Sequence, residues 1–458
     1  MKLIDAIYQT AWALALAATS PYGLVRTFLR SREMRERRAD WRTIAPEAVG
    51  GLWIHAASIG EARAAERLLR ALATRGRPAL LSVVTPTARA LAAEFAAAGA
   101  SDVRFAPLDF LPLVQRAFEL LRPKGLLIVE TEIWPGLLTE ARRRGVPVAF
   151  VSARLTPASW RHMRWLRPGL RHWLGATCVA AQSEADARRW IDLGAPAARV
   201  RVTGNVKYEM PRMLFAAAER EARRVGWRRI AVFGSIRASE AAEIATAVRI
   251  AAQGPGPCLL IVAPRHPERT SAALLRALAG TIPVIERARV EDVMLPAPGE
   301  IPQTRGAGGA TRAVLLVATL GELRRFYALA DAIFVGGTLV PIGGHNLFEA
   351  ASMGVPILFG PHTENVSEVA DLLIRDGGGA RVADGVALGE AMRRLLADET
   401  EADAMGRAAL RAAESMSGAL DRTLAALEEW GFPIQVVEQP ARPAARPPGL
   451  LRPSKKPG

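Results

Sequence analysis

From residue 51 the chain alternates short apolar runs with longer amphipathic stretches. GLWIHAAS, PALLSVVT, DVRFAP, GLLIVE, PVAFVSA, TCVAAQ and RVRVTG are strand candidates between residues 51 and 204. Helical stretches such as EARAAERLLRALATRG and GLLTEARRRG lie between them. Apolar strands alternating with helices predict a parallel sheet covered on both faces, the doubly wound Rossmann-like arrangement. The pattern restarts after a connector near residues 209–214. RRIAVFGS, CLLIVAPRH, PVIERA, AVLLVAT, AIFVGGT and PILFGP occupy 228 to 361, again with helices between. The expected fold class is therefore α/β, with two Rossmann-like doubly wound domains facing a cleft. Ligands of such sheets bind outside the carboxyl ends of the strands.

The ends of the chain read differently. Residues 4–19, IDAIYQTAWALALAAT, are largely apolar but fall short of the roughly 20 residues a membrane span needs, and they contain Asp5. Arg26, Arg30, Arg32, Arg35, Arg37, Arg38 and Arg42 come next. An apolar segment followed by clustered arginine suits a membrane-associated helix with cations at anionic headgroups. A cleaved signal peptide and a plain buried helix are the alternatives. Residues 290–312, rich in Pro and Gly, read as an exposed loop, and the tail with PARPAARPPG and PSKKPG reads as disordered. The expected division is 1–42 for anchor and basic segment, 43–210 and 211–432 for the two domains, and 433–458 for the tail.

Composition changes this picture little. A chain of 458 residues suits two domains of roughly 200 residues each. The formal charge of +15 points to anionic partners: nucleic acid, anionic lipid or phosphorylated substrate. The arginines are scattered over helices without the basic-aromatic stripes of a nucleic-acid face, so no nucleic-acid partner is expected. Cys178 and Cys258 each sit in an apolar run and read as buried small hydrophobes, not a disulfide or metal pair.

The residues just beyond each strand carry the chemistry. The first strand ends in His55-Ala-Ala-Ser58-Ile-Gly60-Glu61, which puts Glu61 near the first turn of a helix, as a general base or as a helix-end charge. The fourth ends in Glu130-Thr-Glu132-Ile-Trp-Pro, with two carboxylates close together. The seventh ends in Thr203-Gly-Asn-Val-Lys207-Tyr, which offers Lys207 to an anion. In the second half, Arg265 and His266 come directly after a strand and suit a phosphate or carboxylate. Gly321 and Glu322 open a helix, and Gly343-Gly344-His345-Asn346 runs into NLFEAASMG with Glu349 one turn in. Glycine-rich backbone before a helix can cradle phosphate, and a glutamate there can take a pair of nucleoside hydroxyls.

HAASIGE at 55–61, ETEIWP at 130–135, TGNVKYE at 203–209, APRHPER at 263–269, FVGGT at 334–338, GGHNLFEAA at 343–351 and GPHTEN at 360–365 occur in one order. Together they resemble the transferases of 3-deoxy-D-manno-octulosonic acid (Kdo) in lipopolysaccharide synthesis, over roughly residues 20–430. That resemblance implies a GT-B glycosyltransferase that moves Kdo from CMP-Kdo to a lipid A precursor, lipid IVA. It also implies the cytoplasmic face of a bacterial inner membrane, an anionic membrane surface as partner, and no cofactor or metal. Glu61 matches the family's catalytic base, and Glu130 and Lys207 match groups that stabilise the transition state. Arg265, His266, Leu320, Gly321, Glu322, Asn346, Leu347, Phe348 and Glu349 match CMP-binding positions. Ser58, Gly60, Glu132, Gly344 and His345 are further candidates beside them. Three stretches depart from the family pattern: GSIRASEA at 234–241, Ala318, and Pro341-Ile342. All three lie in the half expected to hold the donor. The rival enzyme reading is another GT-B nucleotide-sugar transferase or an epimerase.

Overall fold

The structure is a computed structural model. It describes residues 3–18, 31–41, 43–210, 221–222, 224–254, 257–279, 283–287, 295–297, 304–305 and 311–435. The expected tail beyond 435, most of the 290–312 loop, and Arg26, Arg30 and Arg42 lie outside the described residues. Contacts divide the chain into two units. The first holds the chain up to Lys207 together with the chain from Leu420, and the second runs Tyr208–Ala419.

The first unit carries β1 (Leu52–Ala56), β2 (Ala79–Val83), β3 (Asp102–Phe105), β4 (Gly125–Val129), β5 (Val148–Ala153), β6 (Cys178–Ala181) and β7 (Val200–Val202). They form one sheet in the order β3-β2-β1-β4-β5-β6-β7, with every pairing parallel. All seven strands expected from the sequence are present. The sheet is covered by helices such as Ile59–Ala73, which buries Leu68, Leu69 and Leu72 on one stripe. Trp41, Trp53, Phe118, Phe150 and Trp190 fill the core on one side of the sheet. Each such side chain contributes about 1.5–3 kcal/mol through burial.

The N-terminal helix Leu3–Ala18 packs on this unit through its polar residues. Tyr8 donates to Asp109 at 2.9 Å, and Gln9 Oε1 accepts from Leu111 N at 2.6 Å. Asp5 accepts from Trp173 Nε1 at 2.8 Å and from Thr139 at 3.3 Å, and lies 3.2 Å from His172. Leu14 points outward, 66% exposed. Among the described residues no helix is long and apolar enough to cross a membrane. In the basic stretch, Arg37 pairs with Glu33 and lies over the Phe105 ring, so this cation is committed to the fold.

The second unit carries β8 (Arg229–Ile236), β9 (Cys258–Pro264), β10 (Val284–Arg287), β11 (Thr304–Arg305), β12 (Thr311–Val317), β13 (Ala332–Val335), β14 (Ile357–Phe359) and β15 (Gly379–Arg381). Its sheet runs β10-β12-β9-β8-β13-β14-β15, all parallel, with β11 antiparallel to β12. β11 and β15 were not among the expected strands. A second difference concerns the boundary: the chain from Leu420 belongs to the first unit, whereas the sequence extended the second domain to 432. Phe432 reaches Gly125 on β4, where an added Cβ would lie 2.7 Å from its ring. Long-range packing of this kind leaves no local mark in the sequence.

Three non-glycine residues near the carboxyl ends of strands hold left-handed backbone: Glu130 after β4 (φ +61°), Ser152 in β5 (φ +51°) and Ser235 in β8 (φ +59°). The pairing register shifts around Ser152 and around Ser235. Such conformations are costly for residues with a Cβ and gather where side chains must be aimed.

Candidate active site

In the first unit, Ser58 is the N-cap of the helix Ile59–Ala73, and its Oγ accepts from Glu61 N. The Glu61 carboxylate reaches back. It accepts from Ala57 N at 2.7 Å and from the Ser58 hydroxyl at 2.8 Å. This reciprocal cap fixes the carboxylate in one orientation. Burial raises the Glu61 carboxyl above its ordinary value against the pull of these two hydrogen bonds, and the negative charges of Glu132 and Glu130 push it the same way. Glu61 is thus both a helix-end charge and a carboxylate of enhanced basicity.

Glu130 accepts from Lys207 Nζ at 2.5 Å. Lys207 arrives from beyond the edge strand β7. Gly204 N donates to Ala181 O and Val206 N donates to Ser152 Oγ at 2.9 Å, which folds the 203–207 loop over the ends of β6 and β5. Arg422 Nε and the Thr423 hydroxyl fasten this loop to the C-terminal helix at Thr203. A Cβ on Gly60 would lie 3.8 Å from Lys207 Nζ, so the ammonium crosses the first turn of the Glu61 helix. Glu132 accepts from Trp134 Nε1 at 2.7 Å, and burial with Glu130 raises its carboxyl. Ser58, Gly60, Glu61, Glu130 and Lys207 therefore converge, with Glu132 close enough to be felt.

Two groups behind this cluster were not singled out in the sequence. Asp109 is 3% exposed and accepts from Gly136 N, Leu137 N and Tyr8, capping the helix Pro135–Arg143 that comes after the 130–134 turn. Burial pushes its carboxyl up to about 7. His55 is fully buried, with Nδ1 2.9 Å from Ser82 Oγ and its ring 4.6 Å from that of Trp134. Burial drives it down to about 3, so it is a neutral packing group.

In the second unit, β8 and β9 end side by side at Ile236 and Pro264, and Arg265 N donates to Ile236 O. Arg237 and Arg265 are the next residues on the two strands. Glu240, fully buried, accepts from Arg237 N, Gly337 N, Thr338 N and Leu339 N at 2.8–3.1 Å, binding the turn after β13 to the turn after β8. Neither Arg237 nor Glu240 stood out in the sequence as a site residue, although both lie in GSIRASEA. His345 packs on this turn and accepts from Arg237 Nε at 3.1 Å. Burial, reinforced by Arg237, Arg265 and His266, lowers His345 to about 4.

Gly344 turns left-handed beside Gly343, which is in the same conformation; a Cβ on Gly343 would lie 2.3 Å from Asn365 Nδ2. This is why GGHN and GPHTEN belong together. Asn346 caps the short helix Leu347–Ala351, accepting from Glu349 N. Leu347 and Phe348 turn into the core, so only their backbone is left to meet a ligand. Burial raises the Glu349 carboxyl, while Arg324 and Arg265 pull it down. Glu322, 3% exposed, is held by Arg287 at 3.0 Å and by Thr319. Leu320, by contrast, is 68% exposed and Gly321 has open space around it. Leu320 joins Pro267, Glu268, Ser271, Glu286 and Ala318 around a concavity of about 410 Å³. That is the size class of small-ligand sites. His266, at the same turn, lies 3.7 Å from Glu268.

A protein-family profile described as 3-deoxy-D-manno-octulosonic-acid transferase (kdotransferase) matches residues 29–210. The 3-deoxy-D-manno-octulosonic acid transferase of Bordetella pertussis is 36% identical, over 86% of this chain and 90% of its own length. That of Haemophilus influenzae is 30% identical, over 83% of this chain and 87% of its own. Among solved structures, a putative UDP-N-acetylglucosamine 2-epimerase from Listeria monocytogenes aligns over 85% of this chain and 100% of its own, with a TM-score of 0.54 and 15% identity. A glycosyltransferase from Rickettsia africae aligns over 83% of this chain and 98% of its own, with a TM-score of 0.52 and 11% identity. At those identities the two structures speak for the fold alone: paired parallel-sheet α/β units of the GT-B kind.

Proposed function

The chain belongs to the 3-deoxy-D-manno-octulosonic acid transferase family, and from that premise we propose that it transfers Kdo from CMP-Kdo to a lipid A precursor, releasing CMP. The observation that carries the mechanism is the convergence of a capped, half-buried Glu61 with the Lys207–Glu130 pair. In a direct displacement, the acceptor hydroxyl loses its proton as it attacks the anomeric carbon and the bond to the CMP phosphate breaks. A carboxylate whose proton affinity is raised by burial is a better base than one in water. Its cap leaves it no rotamer search. Lys207 supplies positive charge beside it, and Glu130 holds that ammonium in place.

On this reading the second unit takes the donor. Arg265 and His266 meet the phosphate, and the turn at Leu320 and Gly321 borders the nucleoside. Asn346 and Glu349 present hydrogen-bonding groups from the next turn. Glu322 acts through its backbone, because its carboxylate is committed to Arg287. The reaction needs no metal or cofactor in this scheme. The enzyme would work at the cytoplasmic face of the inner membrane, with the outward side of the helix Leu3–Ala18 toward anionic lipid. Flotation with vesicles containing phosphatidylglycerol, with and without residues 1–20, tests that part; equal flotation would remove the helix from the membrane role.

The direct test of the reaction incubates purified enzyme with lipid IVA and a CMP-Kdo generating system and weighs the products. Lipid carrying added Kdo is expected. Unmodified lipid from an enzyme that binds CMP would overturn the acceptor assignment.

A further inference from the structure

Three arginines of the second unit are committed to carboxylates. Arg224 pairs with Asp331, Arg229 with Glu399 and Arg287 with Glu322. Half-buried Arg237 and exposed Arg265 differ: among the described residues neither forms an ion pair. Glu240, three residues on from Arg237, has its two oxygens spent on four backbone N–H groups. The guanidinium instead donates Nε to His345 Nε2, and among the described residues its two terminal nitrogens have no partner. A half-buried, neutral imidazole thus steers the cation without cancelling it. What remains is a planar fork, the form that meets a carboxylate with two parallel hydrogen bonds.

Position says which anion it meets. Arg237 and Arg265 come directly after a paired position on neighbouring strands, Ile236 and Pro264, and Arg265 N donates to Ile236 O. A nucleotide-linked keto-sugar acid carries two anionic groups on one carbon, the phosphodiester and the carboxylate. Two adjacent guanidiniums match that pair, whereas an ordinary nucleotide sugar would leave one of them unanswered. We propose that Arg237 binds the carboxylate of the donor sugar while Arg265 meets the phosphate, so that this turn selects a sugar acid over a neutral sugar. The assignment rests on the Kdo-transfer reading above and adds to it a residue that reads the sugar itself.

The test compares two ligands on one set of variants. CMP has the phosphate and lacks the sugar carboxylate; CMP-Kdo has both. Arg237→Gln should leave CMP affinity within about threefold by calorimetry and raise the KM for CMP-Kdo by about 10–100-fold, with kcat changed much less. Arg237→Lys, which keeps the charge and loses the fork, should fall between. Equal losses for CMP and CMP-Kdo would assign Arg237 to the phosphate and overturn the proposal, as would an unchanged KM in a variant with normal melting. If the wild-type enzyme instead used a CMP-linked neutral sugar, the Kdo-transfer reading itself would fall. An active Kdo transferase indifferent to Arg237 would sink the carboxylate assignment alone.

Discussion

The two units handle charge in opposite ways. In the first, the key charged groups already have partners: Glu61 is capped by Ala57 and Ser58, Glu130 and Lys207 hold each other, and Asp109 is tied to a helix end and to Tyr8. In the second, Arg237 and Arg265 form no ion pair among the described residues, beside a turn that Glu240 ties together. The contrast separates two tasks. A group that moves a proton must be aimed before the substrate arrives, and internal hydrogen bonds do the aiming. A group that binds an anion gains most if that anion is its first full-strength partner. On the proposed reading the first unit is complete in itself, while the second is completed by its ligand.

Glu61→Gln should break the comparison most sharply. It keeps size and most of the cap, so melting should move by roughly 0.3–1 kcal/mol at most. Turnover should drop by at least about 100-fold with CMP affinity unchanged. Near-normal turnover would reduce Glu61 to a cap and turn attention to Glu130 or Glu132. Next comes Arg265→Ala, which should weaken CMP binding by roughly 1.5–3 kcal/mol because it removes a charged hydrogen bond with no internal substitute. Calorimetry showing full CMP affinity would take Arg265 out of the donor site and leave the second unit's open cations unexplained.

A smaller effect concerns pH. A base must be ionised to accept a proton, so activity is present above its pKa and lost as pH falls through it. Since burial raises Glu61, the acid limb of kcat/KM should lie above the ordinary glutamate value of about 4.3. Glu61→Gln should remove that limb from the residual activity. A limb at the ordinary value would mean that the carboxylate is solvated in the working enzyme. Smallest of all, Tyr8→Phe should cost the first unit roughly 0.5–1.5 kcal/mol in urea unfolding, by leaving Asp109 one donor short, and should leave turnover within about twofold. A large loss of turnover would show that the N-terminal helix reaches the chemistry.

Thirteen of the fifteen described strands were legible as apolar runs, and the two exceptions share a cause. β15 begins at the last residue of Gly377-Gly378-Gly379, which reads as a turn. The glycines are there because other groups come too close for a side chain: a Cβ on Gly378 would lie 2.4 Å from Ala409 N, and one on Gly379 would lie 2.9 Å from the Phe359 ring. β11 is only two residues long. Neither strand therefore leaves an apolar run to read. The site divides along similar lines. Glu61 was readable because Ser58 and Glu61 have the spacing of a local cap. Asp109, Glu240 and Arg237 were not, because their roles depend on partners far along the chain: Gly136 for the first, Gly337 to Leu339 for the second, His345 for the third. Glu322 shows the reverse. Its motif was plain, but only tertiary structure reveals that Arg287 already occupies it.

The return of the chain to the first unit at Leu420 has a consequence for how the protein is made. Thr203, at the root of the lysine-bearing loop, is gripped by Arg422 and Thr423, which leave the ribosome some two hundred residues later. Translation must therefore pass through the whole second unit before the loop can be fastened. A nascent chain halted near residue 418 would carry Glu61, Glu130 and Lys207, with the loop that bears the last of them lacking two of its fastenings. On the proposed reading, the base and its lysine partner would thus be fully fastened only once the donor-binding half has been made, an ordering written into the chain itself.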